Sequence, residues 1–219
     1  MNAPRIKICG LKDKETIRSM NGLPFHEIGF VFAPSKRQVS PETAAGLIHE
    51  AKQLAAANGA APRTVGVFVN AGLEELRSAL AAAPLDVVQL HGAESPEFCR
   101  EAREQLSVAV WKVFSVGDGS ETPEQRFAPF KGAVDAVLID TAGGGTGVPF
   151  DWRQIDAYKQ AAAAIGVPLY VAGGLHPDNV RELMEQYAPG GVDVSSGVES
   201  DGHKDIDKIR LFVQRVVNS

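Results

Sequence analysis

Short apolar runs rich in β-branched residues recur along the chain, and each is followed by a helical pattern. Most runs are apolar at successive positions, which is typical of parallel strands buried on both faces. The runs are Arg5–Cys9, Glu27–Val31, Thr64–Val69, Asp86–Leu90, Ala109–Phe114, Val134–Asp140, Pro168–Ala172 and Gly191–Val194. Eight βα units in series predict an α/β fold of the (β/α)8 or TIM barrel type, because open doubly wound sheets usually have about five or six strands.

Several helical segments begin with a recognisable N-terminal signal. Ser40-Pro41-Glu42, Ser95-Pro96-Glu97 and Pro177-Asp178 each place a proline or an acidic residue in the first turn, where the free N–H groups and the helix dipole accommodate them. No low-complexity linker interrupts the series. We therefore predict that residues 1–219 form a single catalytic barrel domain.

The charge and the cysteine count bear on partners and location. The formal net charge is -5 and no run of Lys or Arg accumulates on one segment, so neither a nucleic-acid nor a membrane partner is expected. There are two cysteines, Cys9 and Cys99, and no signal-type segment or apolar stretch of roughly 20 residues. These features predict a cytoplasmic protein.

In a barrel of this type the chemistry lies at the carboxyl ends of the strands. Two small-residue segments there, Gly173-Gly174 and Ser195-Ser196-Gly197, follow the seventh and eighth strands, where such barrels commonly bind phosphate. A third, which includes Gly145-Thr146-Gly147, follows the sixth strand and would close on the same group. Tight βα turns are the simpler explanation of any one segment alone, but together they predict a site for a small phosphorylated sugar.

Two strand-end residues are candidates for acid–base chemistry. Cys9 ends the first strand, where its thiolate would accept a proton if its pKa were lowered, although buried packing is the simpler explanation of a lone cysteine. Asp140 ends the sixth strand, where desolvation would raise its pKa and suit it to donate a proton; an N-cap or loop role is the alternative. The two strands lie on different sides of the mouth, as an acid–base pair requires.

Arg37 and His91 are candidates for substrate binding. The guanidinium of Arg37 would bind a carboxylate or stack on an aromatic ring, whereas a solvated loop arginine is the alternative. His91 would form a polar wall of the site, or else serve as a hydrogen-bonded structural histidine. No spacing of His, Cys, Asp or Glu suggests a metal, and no dinucleotide fingerprint follows the first strand.

Three motifs are the most specific of a set that spans almost the full chain: Lys7-Ile8-Cys9-Gly10, Gln89-Leu90-His91-Gly92 and Val194-Ser195-Ser196-Gly197-Val198-Glu199. In this order they resemble the motifs of phosphoribosylanthranilate isomerases of tryptophan biosynthesis. The resemblance implies an Amadori rearrangement without a cofactor, in which Asp140 protonates the ring oxygen of the phosphoribosyl group and Cys9 removes a proton from the adjacent sugar carbon. It also implies that Arg37 contacts the anthranilate portion, and that the partner is a small phosphorylated sugar–anthranilate bound by a monomer or a homodimer.

Two alternatives remain at this point. Another sugar-phosphate isomerase on the same barrel, of the histidine-pathway type, would carry an aspartate where Cys9 stands. A catalytically silent barrel that binds a phosphorylated ligand would have no need of both Cys9 and Asp140. Turnover of phosphoribosylanthranilate would distinguish the predicted isomerase from either alternative.

Overall fold

The first and last strands lie side by side and close the sheet into a ring. The computed structural model describes residues 4–117, 120–141 and 150–219, and in it eight parallel strands form a closed barrel in sequence order, with β8 paired to β1. The barrel strands are β1 Arg5–Cys9, β2 Glu27–Val31, β3 Arg63–Phe68, β4 Val87–Leu90, β5 Ala109–Val116, β6 Ala136–Thr141, β7 Leu169–Val171 and β8 Gly191–Val194. The predicted (β/α)8 fold is confirmed.

A helix follows each strand in the described part of the chain. These helices are α1 Lys14–Ser19, α2 Pro41–Ala51, α3 Leu73–Ala82, α4 Pro96–Leu106, α5 Pro123–Phe127, α6 Ile155–Ile165, α7 Pro177–Tyr187 and α8 Ile206–Val217. The predicted starts at Ser40 and Ser95 are confirmed, since both hydroxyls accept a main-chain hydrogen bond as N-caps. None of the helices in the described ranges has the length and apolar character needed to cross a membrane.

Three of the predicted strands have the observed limits, and the others shift at their ends. The fifth strand continues to Val116 instead of ending at Phe114, because Ser115 and Val116 pair with the end of β6. The sixth begins at Ala136 instead of Val134, since the residues before it belong to the turn that leads into the strand. A two-stranded hairpin follows the eighth strand, with β9 at Glu199–Ser200 and β10 at His203–Lys204.

Alternate residues of each strand face the inside of the ring. The inner residues form a small apolar cluster that fills the middle of the barrel: Val65, Val87, Trp111, Val113, Ala136, Leu138, Tyr170 and Ala172. Trp111 and Tyr170 pack ring against ring there, with 4.6 Å between their centroids. A much larger apolar cluster lies outside, between strands and helices. The filled interior confines any ligand to the ends of the barrel.

Candidate active site

A cavity of about 420 Å³ opens at the carboxyl end of the barrel. Its walls include eight of the residues singled out from the sequence: Cys9, Arg37, His91, Asp140, Gly173, Gly174, Ser195 and Ser196. Gly197 is not among the lining residues, and Gly145, Thr146 and Gly147 lie outside the described residues. The volume suits one small-molecule ligand, since such sites measure about 300–1,000 Å³.

Cys9 lies at the inner end of this cavity, where β1 ends. Its side chain is buried, and burial raises the pKa of the thiol above its ordinary value because the thiolate loses hydration. The ammonium of Lys7 opposes that shift from the same strand. The sequence argument required a lowered pKa for Cys9, whereas the structure raises it. Cys9 is therefore a thiol near neutral pH, and it becomes a strong base once it loses its proton.

Lys7 and Asp193 form a buried ion pair beneath Cys9, a feature that sequence reasoning missed. Lys7 Nζ donates to Asp193 Oδ2 at 2.9 Å, and the lysine side chain is completely buried. Burial alone would lower the pKa of Lys7, but the Asp193 carboxylate and Cys9 outweigh it and raise the pKa. A positive charge is thereby fixed close to the thiol, where it favours the thiolate.

Asp140 faces the cavity from the end of β6. One carboxyl oxygen, Oδ1, accepts a hydrogen bond from the main-chain N–H of Thr141 at 2.7 Å. Burial raises the pKa of Asp140 to about 6, because the apolar barrel interior disfavours the carboxylate. A carboxyl group with this pKa holds its proton in an appreciable fraction of molecules near neutral pH and can donate it to a ligand.

His91 lies next to Asp140 on the cavity wall. Its Nε2 is 3.7 Å from Asp140 Oδ2, which is too long for a hydrogen bond, and the ring makes no hydrogen bond with any described residue. Burial lowers the pKa of His91, so the imidazole is neutral at neutral pH. The contacts therefore favour a polar wall of the cavity over a hydrogen-bonded structural histidine.

Arg37 reaches the cavity from the loop after β2, but its guanidinium is already engaged. Nε and one terminal nitrogen donate to the two carboxylate oxygens of Glu199, at 2.6 and 2.9 Å. This bidentate pair is largely buried, which differs from the solvated loop arginine considered from the sequence. Glu199 belongs to a sequence motif already noted, but nothing local in the sequence pairs it with a residue 162 positions away.

Polar residues on the cavity floor were also missed. Gln89, Ser115 and Asp193 line the cavity, and each is the next-to-last residue of its strand. Gln89 lies two positions before His91, and Asp193 lies two positions before Ser195. Gln89 Oε1 and Asp193 Oδ1 are buried and have no hydrogen-bond partner among the described residues. The period-2 alternation of strands was the available signal, since a residue two before an inward-facing strand end also faces inward.

The loops after β7 and β8 form one side of the cavity. Gly173 and Gly174 lie there opposite Ser195 and Ser196, and a 3-10 turn, Ser196–Val198, starts at the second serine. The Ser195 hydroxyl donates to the main-chain oxygen of Cys9 at 3.2 Å, which ties this loop to the end of β1. Small residues at these positions bring main-chain N–H groups within reach of an anion.

Gly197 has a structural reason to be glycine that differs from the ligand-binding role assigned to it. A methyl group at this position would overlap the main-chain oxygen of Leu175, in the loop after β7. Gly197 therefore allows the two loops to approach each other behind the cavity wall.

Replacing Gly197 with alanine is expected to lower the free energy of unfolding by about 1–3 kcal/mol, because the two loops must separate to admit the methyl group. Urea denaturation measures the change. Gly72→Ala is the matched control, since Gly72 is the N-cap of α3 and has open space around it. Equal stability of the Gly197 and Gly72 variants would contradict the close approach.

The arrangement suits proton transfer on an anionic ligand. A buried thiol and a carboxyl group with a raised pKa face one cavity, and an arginine and two small-residue loops flank them. Within the described ranges, no group of three or more His, Cys, Asp or Glu residues is placed to hold a metal ion. The thiol of Cys9 and the carboxyl group of Asp140, which line the same cavity, suit general acid–base catalysis.

Comparisons with known proteins agree on one family. Residues 6–215 match the family model described as N-(5'phosphoribosyl)anthranilate (PRA) isomerase. The chain is 47% identical to the N-(5'-phosphoribosyl)anthranilate isomerase of Brevibacillus brevis over 97% of its own length and 93% of that protein.

Solved structures give the same result. A monomeric form of the dimeric phosphoribosylanthranilate isomerase of Thermotoga maritima superposes with a TM-score of 0.78 at 33% identity, covering 99% of this chain and 100% of that one. A phosphoribosyl anthranilate isomerase in complex with reduced 1-(o-carboxyphenylamino)-1-deoxyribulose 5-phosphate superposes with the same score at 32% identity, again covering 99% and 100%.

Proposed function

Since the chain belongs to the N-(5'-phosphoribosyl)anthranilate isomerase family, we propose that Asp140 is the general acid and Cys9 the general base of its reaction. The enzyme isomerises N-(5'-phosphoribosyl)anthranilate to 1-(2-carboxyphenylamino)-1-deoxyribulose 5-phosphate, an Amadori rearrangement of tryptophan biosynthesis. The observation that carries the two roles is that a buried thiol and a carboxyl group of pKa about 6 line the same cavity.

The first step opens the sugar ring. Asp140 donates its proton to the ring oxygen of the phosphoribosyl group while the bond from that oxygen to the anomeric carbon breaks. The anthranilate nitrogen supplies its electron pair, so a protonated Schiff base forms. Because burial raises the pKa of Asp140 to about 6, the carboxyl group is a far better proton donor near neutral pH than an ordinary aspartate.

The second step moves a proton away from carbon. The Cys9 thiolate removes the proton from the sugar carbon next to the Schiff base, and the electrons of that bond neutralise the iminium nitrogen. The resulting enolamine tautomerises to the ketose, so the product is an isomer of the substrate. Lys7 lies close enough to favour the thiolate electrostatically, which offsets part of the cost of its burial.

Two other regions hold the ends of the substrate. The loops that contain Gly173, Gly174, Ser195 and Ser196 bind the phosphate through main-chain N–H groups and hydroxyls. Arg37, from the loop after β2, binds the anthranilate portion, while His91 lines the wall beside Asp140. Held at both ends, the substrate keeps its reacting atoms near the acid and the base.

The decisive experiment is turnover of freshly generated N-(5'-phosphoribosyl)anthranilate, followed by the loss of its fluorescence. Purified wild-type protein is expected to convert the substrate. The relatives reported above are isomerases of N-(5'-phosphoribosyl)anthranilate and give no support to the histidine-pathway alternative. An inactive protein that still binds the reduced product analogue would identify a silent ligand-binding barrel and overturn the two catalytic roles.

The pH dependence of kcat/KM follows from the two pKa shifts, because kcat/KM reports the ionisation of the free enzyme. The active form needs Cys9 as thiolate and Asp140 protonated. Below about pH 6 the acid is mostly protonated and the thiolate fraction grows, so kcat/KM rises with pH. Above it the growth in thiolate cancels the loss of acid, so kcat/KM stays level until the raised pKa of Cys9 is reached.

Asp140→Asn provides the internal test of this assignment. The asparagine enzyme lacks the titrating acid, so its much lower kcat/KM should keep rising with pH where the wild-type profile is level. An inflection near pH 6 that persists in this variant belongs to the substrate phosphate. A wild-type kcat/KM that falls steadily between pH 6 and 8 would contradict the raised pKa of Cys9.

Four further expectations accompany this function. Residues 1–219 act as one barrel domain in the cytoplasm, as a monomer or a homodimer, and the ligand is a small phosphorylated sugar–anthranilate and neither nucleic acid nor membrane. A relative in Thermotoga maritima is described as dimeric and can exist as a monomer, which supports both states. Light scattering coupled to gel filtration measures the state of this chain.

A further inference from the structure

A buried charge cluster beside the cavity contains one more cation than the proposed reaction explains. The cluster consists of Arg37, Glu199 and Lys204, with 12%, 7% and 3% of their side chains exposed. Arg37 and Glu199 alone would form a complete ion pair. Burying a further charge is costly unless it is paired, so the presence of Lys204 calls for a functional explanation.

The ammonium of Lys204 links Glu199 of the hairpin to the Ser195 loop at this part of the mouth. Lys204 lies in β10 of the hairpin after the eighth strand, and its Nζ donates to Glu199 Oε1 at 2.8 Å. It also donates to the main-chain oxygen of Ser195 at 2.8 Å and to the Ser195 hydroxyl at 3.3 Å. The buried ammonium of Lys204 thus contacts Glu199, which is the partner of Arg37, and also the Ser195 loop, which is assigned to the phosphate.

Arg37 is held on two sides by this arrangement. Its aliphatic stem crosses the main chain of Gly10, where a Cβ would lie 2.6 Å from Arg37 Cδ. Glu199 fixes the guanidinium from the other side through two hydrogen bonds. The remaining terminal nitrogen makes no hydrogen bond with the described residues, so Arg37 keeps one donor group for a ligand.

The charges of the cluster do not cancel. Burial opposes ionisation of Glu199, but hydrogen bonds from Arg37 and Lys204 outweigh it and lower its pKa to about 2, so the carboxylate stays charged. Burial lowers the pKa of Lys204, and Glu199 opposes that shift. Two cations around one anion leave one positive charge in excess, whereas the cluster without Lys204 would be neutral.

We propose that Lys204 is a positioning and specificity-determining residue, which braces Arg37 through Glu199 and supplies the excess charge that selects a substrate with a carboxylate on its aromatic ring. This inference rests on the proposed assignment of Arg37 to the anthranilate portion. The hydrogen bonds to Ser195 further couple the position of Arg37 to that of the phosphate loop.

The test compares two ligands by titration calorimetry. One is reduced 1-(o-carboxyphenylamino)-1-deoxyribulose 5-phosphate, and the other is the same molecule without the ring carboxylate. Lys204→Met is expected to weaken binding of the first by about tenfold or more, as for loss of a charge-assisted interaction, and binding of the second by much less. The ratio of the two dissociation constants is the readout, because damage to the fold or to the phosphate loop would weaken both ligands equally.

Two further variants sharpen the comparison. Lys204→Arg keeps the charge and is expected to preserve most of the preference for the carboxylated ligand. Lys208→Met is the matched control: Lys208 is a more exposed lysine that donates to the main-chain oxygen of Glu199, at 2.8 Å, and not to its carboxylate. It should leave the ratio unchanged.

If Lys204→Met does not fold, Lys204→Gln takes its place, since a side-chain amide still donates hydrogen bonds but carries no charge. It too should lose the preference. An unchanged ratio in the folded variants, or an equal loss for both ligands, overturns the proposal. Failure of the proposed function is a separate result, seen as absence of turnover in the wild-type protein whatever the binding ratio.

Discussion

Asp140→Asn is expected to lower kcat on N-(5'-phosphoribosyl)anthranilate by at least about 100-fold, the lower limit for loss of a general acid. This corresponds to about 2.7 kcal/mol of activation free energy. The substitution removes the proton donor but keeps the shape of the side chain. An asparagine oxygen can still accept the hydrogen bond from Thr141 N–H, so the end of β6 should keep its conformation.

Binding and stability measurements separate this effect from damage to the site. The Asp140 variant should bind the reduced product analogue within a few-fold of wild type. Asp156→Asn, at an exposed aspartate of α6, is the matched control and should leave kcat unchanged. A kcat for Asp140→Asn within about threefold of wild type would assign ring opening to another group.

Cys9→Ser should also reduce kcat by about 100-fold or more, since removal of the general base leaves no group of suitable basicity at that position. Serine has nearly the same shape, but its hydroxyl does not ionise near neutral pH. The result therefore distinguishes proton abstraction from packing, which was the simpler explanation of a lone buried cysteine. The measurement is the kcat of the wild-type and Cys9→Ser enzymes at saturating substrate.

The second cysteine provides an unusually close control. Cys99 is completely buried in α4, away from the cavity, and Cys99→Ser makes the same chemical change. This variant should lose some stability, because a buried hydroxyl needs a hydrogen-bond partner, and yet retain its kcat. If the two variants lost activity equally, Cys9 would have no special part in the reaction.

The barrel was predictable because its signals are local and repeat. Runs such as residues 28–31 of β2 are apolar throughout, as expected for strands covered on both faces, and proline after Ser40 and Ser95 sets the start of a helix. The ends of strands were harder to predict. They depend on how far the neighbouring strand continues, as at Val116, which pairs with Thr141.

The mouth of the site was predictable, whereas its floor and its electrostatics were not. Cys9 and Asp140 stand out as reactive residues at strand ends, while Lys7 belongs to the first-strand motif but has no local feature that indicates its partner. Its role depends on Asp193, 186 residues away, and Glu199 meets Arg37 over a similar separation. Such pairs exist only when distant segments meet, so no local pattern reports them.

The contact between Lys7 and Asp193 has a consequence for how this enzyme comes into being. It joins neighbouring positions on the first and last strands, at the seam where the ring closes. Cys9 and Ser195 meet at the same seam. A chain still emerging from the ribosome therefore has its base but neither the carboxylate beneath it nor the serine loop beside it. The base, the carboxylate beneath it and the serine loop beside it can come together only once the last strand has been made.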